Sequence, residues 1–296
     1  MLRIKYYHST PNFGDTLNAY IFEKLLSIPV QAVAEPYDAE PHLIFIGSMI
    51  RIATPNSFVW GAGLIDEIRL PIKPPLGFGC VRGPLTKRRL LHHGFLRSGQ
   101  EVVLGDPALL LSFLSNERPR SNPRYDIGII PHYVDKSAVT GSQFFGPFSA
   151  GLKKLRSKPE NLNIESEIYF DSIKVKLIDV QSDSCETIIR QICDCSFIAS
   201  SSLHGLIVAD ALGIPNTWIK MSDNLDGGAF KFIDYMMSVE RYDVNPIIFT
   251  SNRLTKAFVE RAIERKHQWS VNFDMATYKS AFEEFLASNS FRLCCS

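Results

Sequence analysis

Short apolar runs alternate with helical patterns along most of the chain. Apolar residues are continuous in 43–47, and Ser57-Phe-Val-Trp-Gly61 repeats this type, as in strands of a parallel sheet that are buried on both faces. Residues 16–27 instead repeat apolar side chains at helical spacing. The same alternation predicts strands at 2–7, 77–81, 101–104, 125–131, 174–180, 196–199 and 215–220, and helical segments at 82–93, 184–194, 203–212, 229–240 and 253–287. This order of elements predicts an α/β protein.

A polar segment with two prolines, residues 115–124, separates two sets of strands and helices and is the candidate linker. The sequence therefore predicts an N-terminal Rossmann-like domain over 1–118 and a C-terminal Rossmann-like domain with a helical tail over 119–296. Two such domains facing a cleft form a GT-B-like architecture. Residues 134–167 lack a clear pattern and are interpreted as a loop that faces an acceptor.

Composition limits the classes of partner. Lys plus Arg number 32 and Asp plus Glu 31, so the chain has no general field that would attract nucleic acid, and any anion site must be local. The start of the chain has no leader-like apolar run, and no stretch is long enough to cross a bilayer. We expect a cytoplasmic protein and leave peripheral contact with a membrane open. The six cysteines have neither disulfide-framework nor zinc-ligand spacing, so no metal site is predicted.

The most informative local pattern is a run of three serines where a strand meets a helix. Ser200, Ser201 and Ser202 follow the predicted strand 196–199. At a helix start, unpaired backbone N–H groups and serine hydroxyls bind anions, and His204 in the first turn could add a proton or a charge. Simple helix capping by serine is the alternative explanation.

A second polar segment follows the first predicted strand. It contains Asn12, Gly14, Asp15 and Asn18, and Gly14 permits an unusual backbone turn. Asp15 could cap the next helix or act as an acid or base, and the pattern does not separate these roles.

Arg82 lies between a predicted strand and the start of a helix. A cation is unfavourable there because of the helix dipole, so Arg82 needs an anionic partner such as a carboxylate or a phosphate. Asp106 and His132 also follow predicted strands, where they could transfer protons, although structural turn roles are equally consistent with the pattern.

The ordered set of these motifs resembles the polysaccharide pyruvyltransferase family, in its bacterial exopolysaccharide and capsule members. The matching segments, over about residues 5–240, are Asn12-Phe-Gly-Asp-Thr-Leu-Asn18, Arg82-Gly-Pro-Leu-Thr86, Gly105-Asp-Pro107, Ile130-Pro-His-Tyr133, Ser200-Ser-Ser-Leu-His-Gly205 and Phe230-Lys-Phe-Ile-Asp-Tyr235. The resemblance implies a GT-B-like fold, phosphoenolpyruvate as donor substrate without a cofactor, and a pyruvate ketal on a saccharide acceptor that could be lipid-linked.

The resemblance also implies roles for particular residues. It carries donor binding to Arg82 and assigns function to His204. Many family members have an arginine where this chain has Ser202, so either another cation holds the donor's second charge, with Lys220 as a candidate, or the donor differs. The donor-binding set is then Arg82, Asn12, Gly14, Ser200, Ser201, Ser202, Leu203 and Lys220. Proton transfer is assigned first to His204 and Asp15, with Asp106 and His132 in reserve.

The serine tract is assigned to the donor phosphate and Arg82 to its carboxylate, and the reverse assignment is nearly as consistent with the sequence. Two other functions remain open. One is a GT-B-type glycosyltransferase that uses a nucleotide sugar, and the other is a non-catalytic module that binds sugars or anions.

Overall fold

The computed structural model describes residues 1–7, 12–33, 40–114, 118–135, 167–181, 184–242, 244–249 and 254–293. Most of the predicted loop 134–167 lies outside these residues. The strands are β1 (Leu2–Ile4), β2 (Val30–Ala32), β3 (His42–Ile44), β4 (Ser57–Trp60), β5 (Gly77–Val81), β6 (Val103–Leu104), β7 (Ile127–Ile130), β8 (Glu167–Phe170), β9 (Ile173–Leu177), β10 (Ile198–Ser200), β11 (Asn216–Lys220) and β12 (Ile247–Ile248). The helices are α1 (Phe13–Leu26), α2 (Pro84–His92), α3 (Cys185–Cys193), α4 (Leu203–Ala211), α5 (Phe230–Ser238), α6 (Lys256–Glu264) and α7 (Met275–Leu293).

Within the described residues, the strands form two six-stranded sheets. The first has the order β2-β1-β3-β4-β5-β6 and is parallel throughout. The second has the order β12-β11-β10-β7-β9-β8, in which β8 and β9 are antiparallel and the other paired strands are parallel. The predicted α/β class is confirmed.

The described chain divides by its internal packing into two units. The first comprises residues 1–114, 226–244 and 271–296, and the second comprises 115–225 and 245–270. The sequence-based boundary at 118 placed everything after it in one domain, whereas this division groups α5 and α7 with the first sheet.

The aromatic side chains of α7 explain why this helix belongs to the first unit. Phe282 is fully buried, with its ring centroid 5.2 Å from that of Phe45 and 5.4 Å from that of Trp60. Phe285 lies 4.8 Å from Trp60, measured between ring centroids. Trp60 lies on one face of β4 because side chains alternate along a strand, while its neighbour Val59 joins the apolar cluster on the opposite face.

The second sheet buries an aliphatic core against α6. Ile129 of β7, Ala199 of β10 and Ile219 of β11 are each fully buried in one cluster with Val259 of α6. The helix α4 ends as predicted, because Gly213 just beyond it adopts a φ of 69° and its N–H donates to the Asp210 carbonyl at 3.0 Å.

Candidate active site

Three side chains meet at the carboxyl edge of the second sheet. The strands β7, β10 and β11 are parallel neighbours, so the segments that follow them emerge at the same edge. Asp135, which follows β7, is only 3% exposed, and its Oδ2 accepts a hydrogen bond from Ser201 Oγ at 3.0 Å. Its Oδ1 accepts a hydrogen bond from Ser222 Oγ. One buried carboxylate thus connects the segments after all three strands.

The histidine that follows β7 is held by the same group. The His132 N–H donates to Ser201 Oγ at 2.8 Å, and its carbonyl accepts from the Asp135 N–H at 2.8 Å. The ring of His132 lies 4.4 Å from the Tyr133 ring, measured between centroids. Backbone bonds on both sides of His132 therefore fix where its ring leaves the sheet edge.

The three serines do not have equivalent roles. Ser200 Oγ donates to the carbonyl of Ser202 at 2.7 Å and accepts from the Ser202 N–H at 3.0 Å. Ser201 Oγ donates to Asp135, as described above. Ser202 is the N-cap residue of α4, yet its side chain makes no capping hydrogen bond. Helix capping therefore does not explain the Ser202 hydroxyl, whereas internal bonds account for those of Ser200 and Ser201.

The glycine after His204 allows this turn to close. A Cβ at Gly205 would lie 2.4 Å from Ser200 Oγ, closer than any side chain could tolerate. His204 itself is partly buried in the first turn of α4, next to the buried Leu203.

Lys220 ends β11 at this edge. Its Nζ lies 2.5 Å from Asp223 Oδ1, and its side chain is 42% exposed. The ammonium is thus paired with a surface carboxylate, and a surface pair of this kind is weak enough to exchange for another anion.

At this edge of the second sheet lie the predicted residues His132, Ser200, Ser201, Ser202, Leu203, His204 and Lys220. The other predicted residues, Asn12, Gly14, Asp15, Arg82 and Asp106, lie in the first unit.

Asp15 lies in the first turn of α1, beyond β1 of the first sheet. Its Oδ2 accepts a hydrogen bond from Asn12 Nδ2 at 3.0 Å. Burial raises the pKa of Asp15 to about 6, and the bond from Asn12 only partly opposes this shift. Gly14 lies within the helix and is not among the residues with positive φ, so the unusual turn predicted for it is wrong.

Arg82 is fully buried and bonded to protein groups. Its Nε donates to Asp234 Oδ2 at 3.1 Å, its Nη1 to Ser48 Oγ at 2.8 Å and its Nη2 to the Leu64 carbonyl at 2.6 Å. The sequence argument that Arg82 needs an anionic partner is met here by Asp234. Donor binding by Arg82 remains a prediction, and it requires the guanidinium to become exposed.

Asp234 also fixes the start of α2. Its Oδ1 accepts from the Thr86 N–H at 2.9 Å, and its Oδ2 accepts from Thr86 Oγ1 at 2.7 Å. A Cβ at Gly83 would lie 1.9 Å from the Asp234 carbonyl oxygen. The segments 82–86 and 230–235, which are far apart in the sequence, are therefore two halves of one buried polar contact.

Asp106 follows β6 and is fully buried. Its Oδ1 accepts from the Ala108 N–H at 3.0 Å, while its Oδ2 has no hydrogen-bond partner among the described residues. Burial raises the pKa of Asp106 to about 7, and the bond from Ala108 and the nearby Arg82 oppose this shift. Asp106 is therefore a carboxyl group that can hold or release a proton near neutral pH.

Sequence reasoning missed Asp135, Ser222 and the pairing role of Asp234. Asp135 stands three residues after His132, inside the segment 134–167 that was interpreted as a loop, so the strand-end pattern did not single it out. No group of three or more His, Cys, Asp or Glu side chains among the described residues could hold a metal ion. Within the same residues, no helix has the length and apolar character needed to cross a membrane.

A sequence model of the polysaccharide pyruvyl transferase family matches residues 77–223. The matched range runs from β5 to just beyond β11 and includes Arg82, Asp106, Asp135, the serine tract and Lys220. The chain belongs to the polysaccharide pyruvyl transferase family.

Two relatives of this pyruvyl transferase family member are informative. An uncharacterized protein of Acanthamoeba polyphaga mimivirus is 34% identical over 235 residues, which cover 79% of this chain and 72% of that protein. The succinoglycan biosynthesis protein ExoV of Rhizobium meliloti (strain 1021) is 24% identical over 234 residues. That match covers 77% of this chain and 61% of ExoV, so the chain spans less than two thirds of that relative.

Proposed function

We propose that the chain transfers the pyruvyl group of phosphoenolpyruvate to a sugar of a cell-surface polysaccharide, or of its lipid-linked precursor, and forms a pyruvate ketal. Family membership supports the transferase class. The distant relative ExoV is a succinoglycan biosynthesis protein, which supports a polysaccharide acceptor.

The observation that carries this proposal is the polar edge of the second sheet within the matched range 77–223. There a helix start, a serine hydroxyl with no capping bond and a partly exposed lysine follow neighbouring parallel strands. Phosphoenolpyruvate has two anionic groups on a small skeleton, so it needs two anion-binding positions. We assign the first turn of α4 with Ser202 to one anionic group, and Lys220 to the other.

The reaction needs one proton donor and one proton acceptor. An acid protonates the methylene carbon of phosphoenolpyruvate, and a sugar hydroxyl oxygen then bonds to C2 and gives its proton to a base. The C2–O bond to phosphate breaks and releases inorganic phosphate. The oxygen of a second hydroxyl bonds to C2 and closes the ketal, and the proton of this hydroxyl passes to the released phosphate. This balance requires neither a metal nor an organic cofactor.

Four residues are the candidates for these proton transfers. We assign them first to His204 and Asp15, with Asp106 and His132 in reserve. The pKa values of Asp15, about 6, and of Asp106, about 7, suit proton transfer near neutral pH.

Arg82 has a different place in this proposal. Because its guanidinium is buried against Asp234, we assign it to holding α2 and α5 together in the resting protein. Direct contact with the donor would need the ion pair of Arg82 and Asp234 to open.

The GT-B-like architecture and a cytoplasmic location are further parts of the proposal. The two mostly parallel sheets support the GT-B-like architecture.

The first test uses the full chain, phosphoenolpyruvate and a panel of galactosides and glucosides with free 4- and 6-hydroxyls. We expect inorganic phosphate to be released only when a diol acceptor is present. The variant His204→Ala should fold normally and lose activity by about 10²- to 10⁴-fold, because a general acid or base is removed.

His267→Ala is the matched control, since His267 is exposed in the second unit, and it should keep wild-type activity. Consumption of a nucleotide sugar in place of phosphoenolpyruvate would overturn the donor assignment. Retention of most of the rate in His204→Ala would remove His204 from the mechanism.

A further inference from the structure

The carboxyl group of Asp135 is buried and has no cationic partner among the described residues. It is 3% exposed, and among the described residues no Lys, Arg or His lies within ion-pair distance of it. Burying an unpaired charge costs free energy, so a group that only filled space here would more favourably be neutral. The described contacts of this acid are the hydrogen bonds that its two oxygens accept.

Each oxygen of Asp135 fixes the direction of one serine hydroxyl. Ser201 Oγ donates to Oδ2 and Ser222 Oγ donates to Oδ1. With their protons turned toward Asp135, both serine oxygens accept from backbone N–H groups, that of His132 at 2.8 Å and that of Asn224 at 3.1 Å. An ionised carboxylate is an acceptor at both oxygens, whereas an asparagine would present one acceptor and one donor.

Two chains of hydrogen bonds therefore begin at this one side chain. The first runs through Ser201 to the His132 backbone and holds the segment after β7 against the serine tract. The second runs through Ser222 to the Asn224 backbone and shapes the turn after β11, in which Lys220 pairs with Asp223. Both positions assigned above to the donor's anionic groups lie next to these chains.

We propose that Asp135 is a positioning residue, which sets Ser202 and Lys220 at the spacing that the donor requires by fixing the Ser201 and Ser222 hydroxyls. This inference rests on the proposed function for the identity of the donor. Asp135 touches no reacting atom in this account. The Ser201 hydroxyl already donates its proton to Asp135, so it cannot donate to the ligand. Ser202 is therefore the serine that contacts the anion.

The test compares Asp135→Asn with wild type by calorimetric titration of phosphoenolpyruvate and by amide hydrogen exchange of the free protein. Asparagine has nearly the same shape but must reverse one hydroxyl. We expect the phosphoenolpyruvate Kd to rise between about 10- and 100-fold, as for a small misplacement of binding groups. We also expect faster exchange at the His132 and Asn224 amides.

Single-hydroxyl variants separate the two chains and remain informative if Asp135→Asn does not fold. Ser201→Ala should accelerate exchange at His132 alone, and Ser222→Ala at Asn224 alone. The matched control is Asp126→Asn, because Asp126 is an exposed carboxylate that precedes β7 at the opposite end of the strand. It should change neither the Kd nor these two exchange rates.

Each result decides one part of the inference. Unchanged exchange at both amides in folded Asp135→Asn would overturn the fixing of the two serine hydroxyls. Faster exchange with a wild-type Kd would show that Asp135 acts on stability alone and overturn its role toward the donor. Failure of wild type itself to bind phosphoenolpyruvate would instead remove the proposed function, and the exchange rates would still test the hydrogen-bond chains.

Discussion

At the scale of single residues, burial sets the chemistry of Asp106. Its pKa of about 7 in the folded protein lies far above the ordinary value of 3.8. The unfolded chain therefore releases this proton at lower pH than the folded chain does. Protonated Asp106 therefore contributes its full stabilisation of the fold below pH 3.8. This contribution falls by about 1.4 kcal/mol per pH unit as the pH rises to about 7.

Replacing Asp106 by asparagine should remove this pH dependence. Asparagine can still accept from the Ala108 N–H but does not ionise. We expect Asp106→Asn to gain stability relative to wild type between pH 4 and pH 8, measured by urea unfolding at both values. Glu67→Gln, at an exposed carboxylate, is the control. An equal stability difference from wild type at both pH values would show that Asp106 titrates normally.

The sequence located these residues but not their partners. Its strand ends correctly placed Asp106, His132 and Ser202 at the carboxyl edges of the sheets, because apolar runs mark parallel strands well. It could not find that Arg82 points into the protein toward Asp234, because that contact joins residues 152 positions apart. Asp135 was missed for the same reason, since its partners follow two other strands.

At the scale of elements, the buried ion pair of Arg82 and Asp234 joins α2 to α5. Truncating either partner leaves the other charge buried, so Arg82→Ala or Asp234→Ala should lower the free energy of unfolding by about 3–5 kcal/mol. Chemical denaturation measures the loss. Arg88→Ala is the matched control, because Arg88 lies exposed on the same helix, and it should change stability by less than about 0.5 kcal/mol.

A wild-type unfolding curve for Arg82→Ala would contradict this structural role. Loss of phosphoenolpyruvate binding by Arg82→Ala is informative only when the variant is folded.

The helix order was predicted well from periodicity, but the helical region 253–287 contains two separate helices, α6 and α7. Between them the side chain of Trp269 donates to Asp210 at 2.7 Å, a long-range contact that periodicity does not reveal.

At the scale of the whole molecule, segments that are far apart in the sequence pack into the same unit, since residues 226–244 and 271–296 belong with 1–114. The fragment 1–118 lacks α5 and α7, which supply Asp234 to Arg82 and Phe282 to the face of Trp60. We expect this fragment alone to show no cooperative thermal transition. Without α5 the guanidinium of Arg82 has lost Asp234, and without α7 the ring of Trp60 has lost its contact with Phe282. Fluorescence of Trp60 reports the outcome. A sharp transition with native-like burial of Trp60 would show that 1–118 folds by itself.

Pyruvate ketal formation is tested most directly by the chemical structure of the reaction product. The chain is incubated with phosphoenolpyruvate and an acceptor found by phosphate release, and the product is examined by proton and carbon NMR. We expect a methyl singlet and a quaternary ketal carbon bonded to two sugar oxygens, because the methylene carbon has been protonated. Retained vinyl protons would show enolpyruvyl transfer to one hydroxyl, and a new glycosidic linkage from a nucleotide sugar would show glycosyl transfer. Either result would contradict pyruvate ketal formation.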